Sequence, residues 1–139
     1  MRGGFVHNKC LIDPVAACSR DMGLPIALEV PVGPGRRAGH VDLVVGEGDF
    51  RIAVEAECTP RRVDNDLGKA ARLGVQELWI IVPSPRVGRA IVGVLYRSGM
   101  LGAPCPVFVL SQLQARQRLA VCFPLYFAAK VLGTERNES

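Results

Sequence analysis

The sequence predicts an α/β domain: a mixed central β-sheet flanked by helices, in the order helix, three strands, helix, strand, helix, strand. Three observations carry that expectation. Segments of period-two alternation follow one another between residues 25 and 58, helical spacing takes over after Pro60, and the run Leu78-Trp79-Ile80-Ile81-Val82 is apolar on both faces. Three consecutive strands close as an antiparallel meander. A strand reached through a helical crossover adds in parallel, so the sheet is mixed.

The elements follow in order. Phe5 to Met22 has an uneven apolar stripe of Val6, Cys10, Leu11 and Val15, which predicts a helix. Pro14 either kinks it or marks a start there with Asp13 as cap, and Gly23 closes it. Pro25 to Val32 is a strand with Ile26, Leu28, Val30 and Val32 on one side and Ala27 and Glu29 on the other. The loop Gly33 to Gly39 carries Arg36 and Arg37. His40 to Val45 sets Val41, Leu43 and Val45 on one face, Gly46 to Asp49 turns the chain, and Phe50 to Cys58 sets Ile52, Val54, Ala56 and Cys58 on one face. Thr59-Pro60 ends that strand and opens a helix over roughly Arg62 to Leu73. Its apolar line is Val63, Leu67, Ala70 and Ala71, and its polar line Arg62, Asp66, Lys69 and Arg72. Glu77 to Val82 is a covered strand. Pro83-Ser84-Pro85 starts a helix with Val87, Ala90, Ile91, Val94 and Leu95 as its buried stripe, and Pro106 to Leu110 is a short strand. A helix and an unassigned apolar segment follow Ser111. The whole reads as one domain over residues 1–132, with a frayed tail at 133–139.

Composition narrows the function. Five cysteines, none in a Cys-x-x-Cys pair, argue against a disulfide framework or a structural zinc site, with Cys58 and Cys122 expected as small buried residues. The pattern fits a reducing compartment. With no secretory leader and no apolar run near the roughly 20 residues a span needs, a soluble cytoplasmic protein without membrane contact is expected. The net charge of +4 rests mostly on arginine, which allows but does not demand a nucleic-acid partner. No phosphate-cradling Gly-x-x-x-x-Gly-Lys-Ser/Thr loop and no Gly-x-Ser-x-Gly elbow occurs.

The chemistry-bearing pattern is a set of acids. Glu55 and Glu57 are two apart on one strand and point the same way, opposite an apolar face. A two- or four-residue hairpin loop sets Asp42 opposite Ala53, which places it on the same side as both glutamates. Three carboxylates on one face repel unless a cation lies between them, and hard oxygen donors suit Mg²⁺ or Mn²⁺. Such a cation activates water and stabilises charge developing on a phosphate. Glu29 is an exposed strand residue that could extend the cluster. His40 shares the parity of Asp42 without a second histidine nearby.

From Pro25 to Val82 the arrangement resembles the PD-(D/E)XK nuclease superfamily, with its restriction-endonuclease-like αβββαβ core. Gly39-His40-Val41-Asp42 supplies the first acid of that pattern and Val54-Glu55-Ala56-Glu57 the second acid with its partner. The resemblance implies a divalent-metal-dependent endonuclease that hydrolyses DNA phosphodiester bonds, with Asp42, Glu55 and Glu57 as metal ligands and catalytic groups. Position 57 departs from it, being Glu where the family usually carries Lys. Two substitutes offer themselves. Glu57 can accept a proton from water, or Lys69 on the following helix can reach the site, although its place on the polar line favours a solvated lysine. Arg36, Arg37, Arg61 and Arg62 flank the site and are candidates to hold DNA phosphates. Asn65 and Asp66 receive no role. The missing lysine motivates an alternative, a non-catalytic nucleic-acid-binding or accessory subunit on the same fold. A homodimer or larger DNA-processing complex is a further expectation, with the apolar stretch Val121 to Leu132 as an interface.

Overall fold

The computed structural model describes residues 2–35, 38–129 and 132. Arg36, Arg37 and the tail 133–139 lie outside them. The order is α1 (Arg2–Asp21), β1 (Ile26–Pro31), β2 (His40–Glu47), β3 (Phe50–Ala56), α2 (Val63–Leu73), β4 (Glu77–Ile81), α3 (Pro85–Ser98), β5 (Val107–Leu110) and α4 (Gln112–Cys122). The five strands form one sheet in sequence order; β1, β2 and β3 are antiparallel, and β4 and β5 add in parallel. This is the mixed α/β fold that the alternation of periods predicts.

Helices cover both faces. One core joins Leu11, Val15 and Ala16 of α1 and Ala115 and Leu119 of α4 to Val45, Ile52, Val54, Trp79 and Ile81. The other joins Val63, Leu67 and Ala70 of α2 and Ile91 and Leu95 of α3 to Val44, Ala53, Leu78, Ile80 and Val107. Four consecutive residues of β4, Leu78 to Ile81, are completely buried, as an apolar run covered from both sides requires. The stripe of α3 is narrower than its spacing indicates: Ile91 and Leu95 are buried, while Ala90 is exposed.

Local chemistry sets the boundaries. Ser84 caps α3 by accepting from Val87 N–H, and Ser111 and Gln114 form a reciprocal capping box at α4. α1 does not start at Pro14 but runs through it. Proline has no N–H for the Cys10 carbonyl one turn back, and Gln112 Nε2 of α4 donates to that carbonyl at 3.0 Å instead. Gly46, at φ +95, allows no side chain, since a Cβ there would lie 2.4 Å from the Phe50 carbonyl oxygen.

Four expectations change. The hairpin turn is Gly48-Asp49, with Glu47 paired to Phe50, so Val44 and not Asp42 opposes Ala53. Val41 does not share a face with Leu43 and Val45; it packs in the α2–α3 core while they face α1. On β1, Ile26 faces one core and Val30 the other, with Leu28 46% exposed between them. The β1 slip coincides with Glu29, whose φ of 50° is a left-handed value uncommon outside glycine. Cys58 and Cys122 are only partly buried. No helix among the described residues is long and apolar enough to cross a membrane.

Candidate metal centre

Backbone pairing between β2 and β3 runs from the hairpin to Leu43–Val54. One step further, Asp42 stands level with Glu55 and side chains take over from the ladder. Asp42 N–H donates to Glu55 Oε1 at 2.7 Å, and Ala56 N–H donates to Asp42 Oδ2 at 3.0 Å. The register differs by two residues from the sequence expectation, and a shift of two preserves parity. Asp42 and Glu55 are therefore neighbours, joined through each other's strand.

The acid-bearing side of β3 is not open to solvent. The Thr59 hydroxyl accepts from Arg61 N–H, Pro60–Arg62 makes one 3₁₀ turn, and α2 then lies over Glu55 and Glu57. Val63, Leu67 and Ala70 seat α2 on the sheet, and Asp66 and Lys69 are buried with them. Both had been expected on the solvated line of this helix. Lys69 Nζ donates to Glu55 Oε2 at 2.8 Å and to the His40 carbonyl at 2.8 Å, and lies 3.8 Å from Asp66 Oδ1. Gly39, at φ +86, turns the chain just before that carbonyl. His40 thus contributes a backbone oxygen, while its residue as a whole is exposed.

Oxygens of Glu55, Glu57 and Asp66 all lie within 4.8 Å of one another. Asp42, expected as the third member, stands beside this triad instead of within it. Relative exposures are 2% for Glu55, 7% for Glu57 and 1% for Asp66. Such crowding shifts protonation. Burial pushes the Asp66 carboxyl up to about 11, with Glu55 and Glu57 adding to the effect and Lys69 opposing it. Burial also raises Asp42 to about 6, reinforced by the Glu55 charge and opposed by the Ala56 N–H bond and Lys69. Glu57 is raised by burial, with Asp66 and Arg62 pulling the other way. Lys69 is raised despite its burial, because Glu55 and Asp66 hold the proton on the amine.

The decisive atom is Asp66 Oδ2, which is buried and has no hydrogen-bond partner. A buried carboxylate oxygen without a donor is costly, and two things relieve it: a proton on Asp66 itself, or a cation in the triad. The donor set is all carboxylate oxygen, which fits Mg²⁺ or Mn²⁺. Glu55, Glu57 and Asp66 are thus the residues able to hold such an ion.

The remaining candidates sort by position. Arg61 and Arg62 are exposed at the start of α2, and Arg62 is close enough to lower Glu57. Glu29 is exposed and contributes a small charge effect at Asp42. A cleft of about 400 Å³, lined by Cys58, Thr59, Ser84 and Arg86, opens where the chain leaves Glu57. A larger apolar groove of about 670 Å³, lined by Val92, Tyr96 and Val109 among others, lies along α3 and β5, away from the acids. No protein-family model matches the chain, and neither does any curated protein.

The residue that sequence reasoning passed over is Asp66, and a signal for it existed. Positions 63, 66, 67 and 70 fall at i, i+3, i+4 and i+7, the buried stripe of a helix, and Asp66 is its single polar member. An acid inside an apolar stripe is a buried acid.

Proposed function

We propose that the chain is a divalent-cation-dependent endonuclease hydrolysing DNA phosphodiester bonds, with Glu55, Glu57 and Asp66 holding Mg²⁺ or Mn²⁺. The observation that carries this reading is the buried, unpartnered Oδ2 of Asp66, a member of a buried triad of acids. A divalent cation bound there supplies Lewis-acid polarisation of a phosphoryl oxygen and a water acidified for attack. The protein supplies placement. Asp42 fixes the parting of β2 and β3 and so orients Glu55, acting as a positioning residue. Lys69 restrains the other Glu55 oxygen. Arg86 lines the cleft, Arg61 and Arg62 are exposed at the start of α2, and together they provide the charge that draws a phosphate backbone.

The test is cleavage of linear and branched DNA with Mg²⁺, Mn²⁺ or chelator, in the wild type and in Glu55→Gln. Metal-dependent cleavage by the wild type alone is expected. A folded wild type that neither cuts nor takes up Mn²⁺ ends the proposal. One feature favours a second reading, a DNA-binding or accessory subunit without chemistry: Lys69 is already engaged by Glu55 and His40, which leaves no free amine for the water. Salt-sensitive DNA binding without metal uptake would identify that case.

A further inference from the structure

We infer that the centre takes one divalent cation, not two, because the Lys69 ammonium stands where a second would bind. This rests on the reading that Glu55, Glu57 and Asp66 form a metal centre, and it follows from where the Lys69 ammonium sits among them. Two-cation centres hold their ions about 3.5–4 Å apart, with carboxylate shared between them. Glu55 is held from β2 by Asp42 and from α2 by Lys69. Both of its oxygens are already engaged: Oε1 accepts from Asp42 N–H at 2.7 Å, and Oε2 accepts from Lys69 Nζ at 2.8 Å. The same ammonium lies 3.8 Å from Asp66 Oδ1, so it already bridges two of the acids that a second ion would need.

Lys69 is also hard to evict. Its third contact is the His40 carbonyl at 2.8 Å, presented by the turn at Gly39, and its side chain is only 11% exposed. Moving it aside would leave a buried ammonium without acceptors. Leaving it in place would set a second dication against a like charge at short range in a dry pocket, where repulsion is strong. Each Glu55 oxygen keeps a second lone pair, so Glu55, Glu57 and Asp66 still offer one ion a set of carboxylate oxygens, completed by water and substrate.

Calorimetric titration of the full chain with Mn²⁺ tests the count. The wild type should bind one ion per chain and Lys69→Arg one, whereas Lys69→Met should bind two. Two ions on the wild type overturn the inference while leaving the metal centre standing. One ion on a folded Lys69→Met also overturns it, since Lys69 would not be what excludes the second. No ion on the wild type ends the metal centre itself. If Lys69→Met does not fold, the Mn²⁺ electron paramagnetic resonance spectrum of the saturated wild type decides. An isolated-ion signal supports one cation, and a spin-coupled pair refutes it.

Discussion

The two faces of the sheet each set carboxylate beside a cation, fully buried under α2 and half-buried under α4, and they treat it in opposite ways. On the α4 side, Glu77 is closed. Its Oε1 accepts from Trp79 Nε1 at 2.8 Å and from Arg118 Nε at 3.2 Å, its Oε2 accepts from Arg118 Nη2 at 3.1 Å, and the guanidinium lies 3.6 Å from the Phe108 ring centroid. One acid meets one base and both oxygens are used. On the α2 side, Lys69 pairs with Glu55 and Asp66, Asp42 and Glu57 form no ion pair among the described residues, and Asp66 Oδ2 has no hydrogen-bond partner. A satisfied buried pair specifies packing. A cluster with surplus acid is held together by the fold against its own repulsion, and such arrangements belong to sites that bind or react.

The sharpest way to break this contrast is to remove one acid from each face. Asp66→Asn should lower Mn²⁺ affinity by more than about 100-fold, beyond what outer-shell changes cost, and abolish cleavage. Glu77→Ala should leave metal uptake per folded molecule unchanged and instead lower unfolding stability by about 2–3 kcal/mol, below the fully buried case because Arg118 is partly solvated. Denaturant melts and calorimetry on the pair check both halves. Equal metal affinity in the two variants would erase the distinction.

A smaller effect is expected at Asp42, which touches the triad through backbone and Glu55 alone. Asp42→Asn should weaken Mn²⁺ binding about 10-fold, the range for a group that orients a ligand. A loss as large as that of Asp66→Asn would make Asp42 a ligand.

The pH dependence separates the faces again. Asp42, raised to about 6, and Asp66, raised to about 11, keep protons in the folded chain that an unfolded chain releases near pH 4. The folded state then binds more protons, so stability of the metal-free protein falls as pH rises. The fall should be steepest from about pH 4 to 6, where Asp42, Glu57 and Asp66 all contribute, and continue above pH 6 through Asp66. Thermal melts in chelator should show this, and Asp66→Asn should flatten the drop above pH 6. Added Mg²⁺ competes with those protons, so its stabilising effect should grow with pH. The smallest effect is at the surface. Arg62→Ala should reduce the salt slope of DNA binding by about one and leave the metal count alone.

Much of this was legible before the structure. The parity of Glu55 and Glu57, the meander and the parallel addition of β4 and β5 follow from alternation and element order, which depend on local periodicity. The depth of the site was not legible, because it depends on which side of α2 faces the sheet. Arg62, Asp66, Lys69 and Arg72 look like one polar line, but the helix divides them, with Arg62 and Arg72 outside and Asp66 and Lys69 inside. The exchange of faces at Glu29 and Asp42 was hidden too, since a strand slip leaves the alternating pattern intact on either side of it. The pairing of Glu77 with Arg118 joins residues 41 apart and has no local signature.

The proline in α1 has a consequence for the order in which the molecule is completed. Its turn lacks an internal partner for Cys10, and the missing donor arrives from a glutamine 102 positions later. During synthesis α1 emerges before α4, and its open carbonyl stays hydrated until α4 docks on it. A chain stopped before residue 112 would leave α1 without that seal.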